Sequence, residues 1–541
     1  MRQRGRCSDN SVIIVFLFRA AAMQAGGKLK TANKEMLTDL FSSALGNAQG
    51  NAREGEVVDS RKLHGSYYTP GDTVRSLVRW AVRKQSDRLL DPSCGDGRFL
   101  ALHKRSVGVE QGPQAASVAR CRAPWALIHE GDFFGWAAST KERFECAAGN
   151  PPFIRYQRFA GEVRQQALDL CASLGAPFSA LTSSWAPFLV ATASLLKPGG
   201  RIAFVVPAEI GHAPYAIPLI EYLFHNFSTV CLVAVRRKIF RELSEDVWLL
   251  YADGFSGQAS HILLSPQETF SFSPEPPRAG IHVTIDDWRA WNCRLRSFLA
   301  GSEARDIYAR VLAHESTTRL GAVAQIGIGY VTGANEFFHL RPSLADKMDI
   351  PKSLLQPTVR NSRALAGESV TKATLREWVR SDAPVLLLRL SSAETLPGSV
   401  RAYLDTAEGK EARASYKCRH RSPWYVVPDV IVPDAFLSYM SSSGPALVAN
   451  QAGCTCTNSV HTVRLKGNMT LADLQSIWPH PFTRLSCEIE GHPLGGGMLK
   501  VEPREAQRIV LARRRKGWDP HEIRSIEEGL HALRSWRHHA A

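Results

Sequence analysis

The stretch Asn150-Pro151-Pro152-Phe153 limits the fold of this chain more than any other. It follows an apolar run, residues 144–149, that is typical of a buried strand. Each proline has a fixed φ and no backbone N–H, and a proline also keeps the residue before it extended. The strand must therefore end at residue 149. Asn150 is then held at the carboxyl end of a strand, where open α/β sheets bind ligands.

The residue types in this stretch also indicate a chemistry. The side chain of Asn150 and the carbonyl of Pro151 are hydrogen-bond acceptors, and Phe153 offers an aromatic face. Together they suit a planar base that carries an amine. A plain proline-rich turn after a strand explains the same residues, so the neighbouring motifs decide between the two interpretations.

The composition allows several domains and favours an anionic partner. A chain of 541 residues can form about two to four domains, and 44% hydrophobic residues allow large cores. The net charge of +15 favours nucleic acid as the partner. The 11 cysteines include no C-x-x-C pair, so we expect no structural zinc site. Their odd number, without a disulfide framework, suits a reducing cytoplasm.

The first 60 residues are predicted to be a partly disordered leader. Arginines precede a short apolar run, residues 11–18, which superficially matches a signal peptide. The run is too short to cross a bilayer and Arg19 ends it, so we expect no membrane partner. Met23 and Met36 are alternative start residues.

A strand, a glycine-rich turn and a helix are predicted around Asp91. The strand ends at Asp91, and Cys94, Gly95 and Gly97 form the turn, with the helix beginning near Gly97. Glycines allow a tight turn and a close approach of the backbone to a ligand, which the N–H groups at a helix start then face. This strand–turn–helix context favours a ligand site. Leu100, at the place of a third glycine, argues against a nicotinamide dinucleotide.

Acidic residues follow the next two predicted strands. Glu110 ends the second strand, and Asp132 and Phe133 come directly after the third. An acid at the end of the second strand can accept both hydroxyls of a ribose. Asp132 can accept the amine of an adenine while Phe133 packs on its ring. Such residues are usually solvated or buried loop packing, but their position after the glycine turn favours a ligand site.

Three cations and an aromatic ring lie between the sixth and seventh predicted strands of a doubly wound pattern. Arg236, Arg237 and Lys238 are adjacent, and Phe240 follows. A solvated loop is the usual explanation for such a run. Beside the fourth and fifth strands, the cations can instead bind backbone phosphates, and Phe240 can form the second face of a sandwich around a base.

The second half of the chain changes character. Residues 255–302 are predicted to be a bridge, and residues 303–541 a second domain. Glycine loops, polar residues such as Thr332 and Asn335, and arginines beside aromatic residues are typical of nucleic-acid contact, although turns explain them equally well. Four stretches stand out, at residues 327–338, 419–425, 457–461 and 495–503, and residues 513–516 hold four adjacent cations.

These motifs resemble those of the gamma-type adenine-N6 DNA methyltransferases of restriction-modification and phage-defence systems. Tyr68-Thr69-Pro70 resembles the Tyr/Phe-Thr-Pro motif that opens these enzymes. The stretch Asp-Pro-x-x-Gly-x-Gly that begins at Asp91 resembles their S-adenosylmethionine loop, and Asn-Pro-Pro-Phe resembles their catalytic motif. The cofactor motifs come first and a large carboxyl-terminal half comes last, which is the gamma order.

The resemblance implies an α/β fold with a Rossmann-like S-adenosylmethionine-dependent methyltransferase sheet in residues 61–254 and an α+β target-recognition domain in residues 303–541. It implies that the cofactor is bound by Tyr68, Thr69, Pro70, Asp91, Cys94, Gly95, Gly97, Glu110, Asp132 and Phe133. It implies that the double-stranded DNA is bound by Lys238, Phe240, Thr332 and Asn335. A separate restriction endonuclease is a partner that such systems allow.

The implied reaction is methyl transfer to N6 of an adenine that has been flipped out of duplex DNA. The base would stack on Phe153, while the side-chain oxygen of Asn150 and the Pro151 carbonyl accept the two N6 protons. The methyl donor is already activated, so the protein mainly aligns the reactants and stabilises charge. Neither a metal ion nor a covalent intermediate is required.

Three alternatives stay open. Protein-glutamine methyltransferases share the Asn-Pro-Pro-aromatic motif, although they lack so large a carboxyl-terminal domain. RNA adenine is a possible acceptor. A non-catalytic DNA-binding specificity subunit with a vestigial cofactor fold is the third, and the intact motif residues argue against it.

Two expectations concern altered chains. A side chain at Gly97 is expected to fill space that the cofactor needs and so to abolish binding. A chain that ends near Ala300 is expected to retain the cofactor site if it folds, because every cofactor motif precedes that point.

Overall fold

The computed structural model describes residues 69–240, 245–392, 395–494, 496–512 and 517–537, all within one unit that spans residues 64–541. The predicted leader, Tyr68 and the four cations of residues 513–516 lie outside the described residues. None of the described helices has the length and apolar character that crossing a lipid bilayer requires.

A sheet of nine strands organises the first half of the described chain. In chain order the strands are β1 (Leu89–Asp91), β2 (Ser106–Glu110), β3 (Leu127–Glu130), β4 (Phe144–Gly149), β5 (Leu196–Pro207), β6 (Phe227–Val235), β7 (Val247–Phe255), β8 (His261–Gln267) and β9 (Ile281–Thr284). In space their order is β3-β2-β1-β4-β5-β7-β6-β8-β9. Strands β1 to β5 pair in parallel, and β7 runs antiparallel between β5 and β6. The predicted Rossmann-like sheet is confirmed.

The direction of the strand order reverses at β1. From β1 the chain proceeds outward through β2 to β3, and it then returns to the other side of β1 with β4. The register pairs Leu89 with Cys146 and Leu90 with Ala147. The carboxyl ends of β1 and β4 are therefore neighbours, which is the position where open α/β sheets bind ligands.

Helices cover both faces of this sheet. They are α1 (Gly71–Ala81), α2 (Pro113–Arg122), α3 (Phe133–Ser139), α4 (Gly161–Ser173), α5 (Trp185–Ala193), α6 (Ile217–Asn226) and α7 (Ile285–Ala290). Strand β5 shows how the two faces are filled. Phe204 and Val206 contribute to the core beneath α3 to α6, whereas Ala203 and Val205 contribute to the core beneath α1. The alternation follows from the two-residue period of a strand.

The helix predicted near Gly97 is shorter than expected. The chain makes turns from residue 92 to residue 99 and then a single 3₁₀ turn, Leu100–Leu102. Gly95 and Gly97 have φ angles of +53° and +78°, which a right-handed helix cannot contain. Because β2 begins at Ser106, only one helical turn fits after these glycines.

The stretch predicted to be a bridge belongs partly to the sheet. Strand β8 pairs in parallel with β6, and β9 pairs with β8. Ile262, Leu264 and Val283 lie in the same core as the strands of the first half. The prediction of a bridge from residue 255 is therefore wrong for these two strands, because their alternating apolar residues cover the edge of the sheet.

The second half is built from smaller sheets and short helices, as the predicted α+β class requires. The strands are β10 (Thr317–Arg319), β11 (Ala324–Ile328), β12 (His339–Leu340), β13 (Leu355–Val359), β14 (Ser369–Val370), β15 (Leu386–Leu388), β16 (Ala435–Ser438), β17 (Met440–Ser441), β18 (Leu447–Asn450), β19 (Thr455–Cys456), β20 (Val460–Leu465), β21 (His492–Leu494), β22 (Met498–Lys500) and β23 (Val510–Ala512). The largest of these sheets has the order β11-β20-β16-β18-β14.

The helices of this half surround the small sheets and reach back to the first half. They are α8 (Ser302–Leu312), α9 (Leu320–Val323), α10 (Asn335–Phe338), α11 (Pro342–Lys347), α12 (Lys372–Arg380), α13 (Gly398–Leu404), α14 (Ala407–Ala414), α15 (Tyr416–Arg419), α16 (Leu471–Ile477), α17 (Pro481–Glu490), α18 (Pro503–Ala506) and α19 (Pro520–Ser535).

The two halves share one hydrophobic core. Phe482 of α17 and Leu533 of α19 belong to the same buried cluster as Phe204 of β5. Helix α19 packs so closely that a side chain at Gly529 would lie 2.5 Å from the Cβ of Ala304. A chain ending near Ala300 would lose this part of the core. The structure therefore argues against the folding of such a chain, on which the expected retention of the cofactor site depends.

A buried ionic cluster reinforces this junction. The carboxylate of Glu488, which is 1% exposed, accepts hydrogen bonds from Arg296, Arg534 and Arg537. Arg296 precedes α8, whereas Glu488 lies on α17 and Arg537 follows α19. One carboxylate therefore joins three separate segments at the boundary of the two halves.

We expect Glu488→Ala to destabilise the protein by about 3–5 kcal/mol, because it leaves buried guanidinium groups without their counter-charge. Thermal unfolding followed by circular dichroism measures the effect. Glu377→Ala is the matched control, since it removes an exposed carboxylate that pairs with Arg380 at 2.6 Å. The control should change the stability by less than about 1 kcal/mol. Equal melting temperatures for Glu488→Ala and the wild type would contradict the prediction.

Candidate active site

Strand β4 delivers Asn150 to the carboxyl edge of the sheet, next to the turn that follows β1. The Asn150 carbonyl accepts a hydrogen bond from the hydroxyl of Ser93 at 3.3 Å, which ties the two strand ends together. The side-chain oxygen of Asn150 is buried, yet it accepts no hydrogen bond from any described residue. A buried acceptor without a donor is costly, and such an atom points to a ligand that supplies the donor.

The loop that carries Asn150 is held by Ser184, the residue before α5. The Ser184 hydroxyl donates to the Pro152 carbonyl and accepts from the Ile154 N–H at 3.0 Å. Its own N–H donates to the Ile154 carbonyl at 2.9 Å. Ser184 is fully buried, so these three bonds hold the loop without competition from water.

Sequence reasoning did not identify Ser184. A serine before an apolar helix predicts an N-cap. Here its φ and ψ, −60° and −35°, are already helical, and its side chain makes no cap bond. The hydroxyl instead bonds the loop that carries Asn150, and only the tertiary structure brings that loop next to Ser184.

The aromatic residues predicted to enclose a base converge on one cluster. Phe153 is half-buried and packs against the hydrophobic cluster beneath α1. Phe240 is 6% exposed and is a member of that cluster. The structure therefore brings these two residues of the predicted site to the same part of the fold, although 87 positions separate them along the chain (240 − 153).

The cation run beside Phe240 is partly neutralised. Glu268, which follows β8, forms ion pairs with Arg236 and with Arg237. Lys238 is half-buried next to them. Phosphate binding by the two arginines would therefore compete with Glu268, which the sequence alone did not place near them.

The glycine turn has one side that is open and one side that packs against α2. At Gly97, an added Cβ would lie 2.8 Å from the Cα of Ala119 on α2. At Gly95, an added Cβ would meet no atom within 4 Å. The expectation for Gly97 is therefore wrong in its reason, because its missing side chain makes room for a helix. The open side of the turn lies at Gly95.

The side chain of Cys94 also belongs to the packing side. It is 3% exposed and lies in a small apolar cluster with Leu100 and Ala119. Burial raises the pKa of its thiol, so the group is neutral. The predicted contact of Cys94 with a cofactor is not supported for its side chain, because the turn points it toward α2.

Glu110 is oriented by two backbone groups at the end of β2. Its carboxylate accepts hydrogen bonds from the N–H of Gly95 at 2.8 Å and from the N–H of Gly112 at 2.7 Å. The structure thus brings Glu110, the last residue of β2, to the glycine turn. The two bonds hold the carboxylate at the carboxyl edge of the sheet.

Asp91 is buried where β1 meets β4. It is 1% exposed, and a side chain at Gly149 would lie 2.7 Å from its Oδ1. Burial raises the pKa of its carboxyl to about 8, while the Ser93 N–H opposes the rise and the carboxylates of Glu110 and Asp96 add to it. At neutral pH, Asp91 is therefore mainly protonated and able to donate a hydrogen bond.

Thr69 and Pro70 lie at the same turn. The carbonyl of Thr69, a residue that is 2% exposed, accepts a hydrogen bond from Arg98. Pro70 directly precedes α1 and its carbonyl accepts the N–H of Val74. The structure therefore connects the predicted Thr-Pro motif to the glycine turn through Arg98.

Asp132 and Phe133 have structural contacts of their own. The Asp132 carboxylate caps α3 by accepting the N–H of Gly135 at 2.7 Å. Phe133 is 3% exposed, and its ring stacks on Phe188 with 5.0 Å between centroids. The predicted aromatic face of Phe133 is therefore buried in the core, because the two phenylalanines of α3 pack against α5.

Thr332 and Asn335 form a turn in the second half. The Thr332 hydroxyl donates to the Asn335 side-chain oxygen at 2.6 Å and accepts the N–H of Ala334. Thr332 is 1% exposed, whereas Asn335 is exposed. Of these two predicted DNA-binding residues, only Asn335 presents its side chain to solvent.

A second chain of hydrogen bonds begins at Trp185, the residue that follows Ser184. The indole N–H of Trp185 donates to the hydroxyl of Tyr215 at 3.1 Å, and Tyr215 donates to Glu209. Arg155, two residues after Phe153, pairs with Glu245 at 3.0 Å. No group of three potential metal ligands occurs in the part of the chain that the structure describes.

Comparison with known proteins relates this architecture to restriction-modification enzymes. Residues 294–538 match the family model of the C-terminal domain of the Type II methyltransferase M.Eco57I. The Type II methyltransferase M.AccI of Acinetobacter calcoaceticus is 18% identical over 494 residues, covering 84% of this chain and 86% of that protein. M.XamI of Xanthomonas campestris pv. amaranthicola, also a Type II methyltransferase, is 23% identical over 473 residues, covering 83% and 85%.

A shorter match comes from a tRNA-modifying enzyme. The tRNA1(Val) (adenine(37)-N6)-methyltransferase of Actinobacillus succinogenes is 32% identical over 148 residues. The match covers 25% of this chain and 59% of that protein.

We expect Asp91→Asn to stabilise the protein increasingly as the pH rises from 5 to 8. An unfolded aspartate ionises near pH 4, about its ordinary value, whereas the buried carboxyl stays protonated up to about pH 8. The wild type therefore loses up to about 1.4 kcal/mol of stability per pH unit across this window, and the neutral amide loses none of it. Melting temperatures of both proteins at four pH values measure the difference. A constant difference across the window would contradict the raised pKa.

Proposed function

We propose that this chain, which belongs to the gamma-type DNA methyltransferases of restriction-modification systems, transfers a methyl group from S-adenosylmethionine to N6 of adenine in duplex DNA. The observation that carries the choice of acceptor is the buried side-chain oxygen of Asn150, which accepts no bond from the described residues. An exocyclic amine is the donor that such an amide oxygen can accept from a base.

The edge of the sheet fits the cofactor. We assign the open side of Gly95, the oriented carboxylate of Glu110 and the Thr69-Pro70 turn to its binding. Asp91 lies beneath this turn as a neutral hydrogen-bond donor. Cys94 and Phe133 support the site from the core, in place of the direct contacts that their positions in the motifs predict. When bound, S-adenosylmethionine supplies an already activated methyl group.

The residues of the Asn150 loop would act on the acceptor. An adenine that has left the helix would stack on Phe153, which is half-buried, whereas Phe240 is 6% exposed and supports Phe153 from the core. The Asn150 oxygen would accept a hydrogen bond from one N6–H, and the Pro151 carbonyl would accept one from the other. These two bonds would orient the nitrogen lone pair away from the ring. The amine is transiently cationic after transfer, and the neutral Asn150 stabilises that charge until the proton leaves to water.

The rigidity of the loop contributes to the reaction. Catalysis by alignment requires acceptor atoms that do not move when the base arrives. Ser184 holds the Pro152 carbonyl and the Ile154 N–H from the core, so the two acceptors before them are fixed. The chain therefore prepares its acceptors before the substrate binds.

We assign sequence recognition to the second half, with residues 303–541 as a target-recognition domain. Its positive charge and its exposed polar turns, such as the one that presents Asn335, suit contact with DNA. The motif order allows a separate restriction endonuclease that cuts the same site when it is unmethylated. Sequencing of DNA methylated by the protein should reveal a single adenine context.

RNA adenine is the second candidate acceptor, because the tRNA methyltransferase of Actinobacillus succinogenes matches part of this chain. Transfer of labelled methyl groups from S-adenosylmethionine to duplex DNA, RNA and protein distinguishes the candidates. We expect labelled N6-methyladenine in duplex DNA. Label that appears in RNA alone would overturn the choice of substrate.

We expect Asn150→Ala to retain cofactor binding and to lose methyl transfer about a hundredfold, since one buried acceptor contributes ~3 kcal/mol to the barrier. Calorimetry measures the affinity for S-adenosylmethionine and single-turnover transfer measures the rate. Asn226→Ala is the control, because the Asn226 amide bonds only the Tyr222 carbonyl within its own helix. Near-normal turnover of Asn150→Ala would remove Asn150 from the mechanism.

We expect the two glycines of the turn to differ in their response to a side chain. Gly95→Ala should cost about 1–2 kcal/mol of stability, because its φ of +53° strains any side chain, and should weaken S-adenosylmethionine binding about tenfold or more by occupying the open space around its Cβ. Gly97→Val should lower the melting temperature further, because its φ is also positive and its side chain collides with Ala119. Calorimetry and thermal unfolding of both variants measure the two effects. If Gly97→Val melts like the wild type but no longer binds S-adenosylmethionine, Gly97 rather than Gly95 faces the cofactor.

A further inference from the structure

The most exposed large hydrophobic side chain among the described residues is Tyr416, at 65%. It begins the short helix α15 in the second half of the chain. Aromatic rings are usually at least half-buried, and a ring presented to water this far marks a contact surface when charged groups surround it.

Two neighbouring side chains, those of Arg419 and His420, lie against the ring of Tyr416. The guanidinium of Arg419 lies over the ring, 5.2 Å from its centroid. The imidazole of His420 lies 4.6 Å away, and its Nδ1 is 2.6 Å from the Tyr416 carbonyl oxygen. The ring therefore contacts two polar side chains, while Tyr416 as a whole stays 65% exposed.

The base of this surface is rigid. Cys418, between the exposed residues, is fully buried and packs in the core of the second half. Arg421 donates to the carbonyls of Val331 and Thr332 at 2.5 and 2.6 Å. Gly333 allows this contact, because a side chain there would lie 2.6 Å from the Cβ of Lys417. Residues 416–421 and 331–335 thus form one surface, which overlaps two stretches that the sequence indicated separately, 419–425 and 327–338.

The charge of this surface has one sign. Lys417, Arg419, His420 and Arg421 follow Tyr416 within five residues, and the run from residue 412 to residue 428 contains no acidic residue. In the part of the chain that the structure describes, no carboxylate forms an ion pair with Lys417 or Arg419. The charges therefore suit a polyanion.

We propose that the surface formed by residues 331–335 and 416–421 binds the duplex DNA, with the ring of Tyr416 inserted at a base step that it partly unstacks and Lys417 and Arg419 on the phosphates. An exposed aromatic ring flanked by cations matches a nucleobase with its phosphates, since stacking uses the ring face and the cations neutralise the backbone. Cation–aromatic packing of Arg419 keeps the ring poised for a base. The inference rests on the proposed function only in taking duplex DNA as the partner.

Selection from a pool of random 40-base-pair duplexes by the wild-type protein identifies a bound sequence without requiring methylation. Fluorescence anisotropy then compares the affinity of variants for that duplex. Tyr416→Ala should bind about tenfold or more weakly. Tyr416→Phe, which keeps the ring, should bind within about threefold of the wild type. Both should melt like the wild type, because the ring is exposed.

The matched control for the ring is Phe272→Ala. Phe272 is 46% exposed and also lies beside an arginine, with Arg75 at 5.6 Å from its centroid, but it belongs to the first half of the chain. It should bind the duplex like the wild type. Equal weakening of Phe272→Ala and Tyr416→Ala, or unchanged binding of Tyr416→Ala, would overturn the proposal.

The salt dependence tests the cations separately. Lys417→Ala should lower the slope of the logarithm of affinity against the logarithm of salt concentration by about 0.9, whereas Tyr416→Ala should leave the slope unchanged. Lys104→Ala is the control, since Lys104 precedes β2 and lies toward the opposite edge of the sheet from Asn150.

The failures of the two proposals are distinguishable. A wild type that selects no duplex overturns the surface proposed here. A wild type that selects a duplex and needs Tyr416 to bind it, but transfers no methyl group to its adenines, leaves this surface in place and overturns the proposed reaction.

Discussion

The pairing of β1 with β4 is the interaction on which the rest of the structure depends. It places the carboxyl end of the strand before the glycine turn beside the strand that ends at Asn150. The approach is close, because the missing side chain of Gly149 leaves room for the Asp91 carboxylate. The glycine turn after β1, proposed to bind the cofactor, and the loop of Asn150, proposed to bind the acceptor base, are therefore neighbours at one edge of the sheet.

The loop that carries Asn150 is positioned by residues outside the Asn-Pro-Pro-Phe motif. Two prolines restrict the backbone of the loop, but they cannot set its position relative to the sheet. Ser184 supplies that position through three hydrogen bonds from the core. The neighbouring chain from Trp185 through Tyr215 to Glu209 anchors the same side of the fold. Preorganisation of this kind is what a reaction without covalent catalysis requires.

The shared core changes how the two halves of the chain are understood. The motifs separate along the sequence, with cofactor residues early and polar turns late. In space, α17 and α19 complete the core of the sheet, and Glu488 of α17 binds arginines from two other segments at the boundary. A substitution in this shared core is therefore expected to change the stability of both halves. In the proposed function, this rigid junction would keep the bound DNA at a constant distance from the Asn150 loop.

The sequence alone indicated the first seven strands along the chain, the ends of β1 and β4 and the motifs that mark the candidate site, because these follow from local backbone restriction and from short-range hydrophobic periodicity. It placed Glu110 at the end of the second strand, and the structure shows that this carboxylate accepts the N–H of Gly95 in the glycine turn. Only the tertiary structure decided that Gly95 rather than Gly97 has the open side, that Phe133 is buried, that Glu268 neutralises two arginines and that β8 and β9 extend the sheet. Each of these depends on a contact between residues far apart in the chain, and no local pattern encodes which distant side chain will fill a given space.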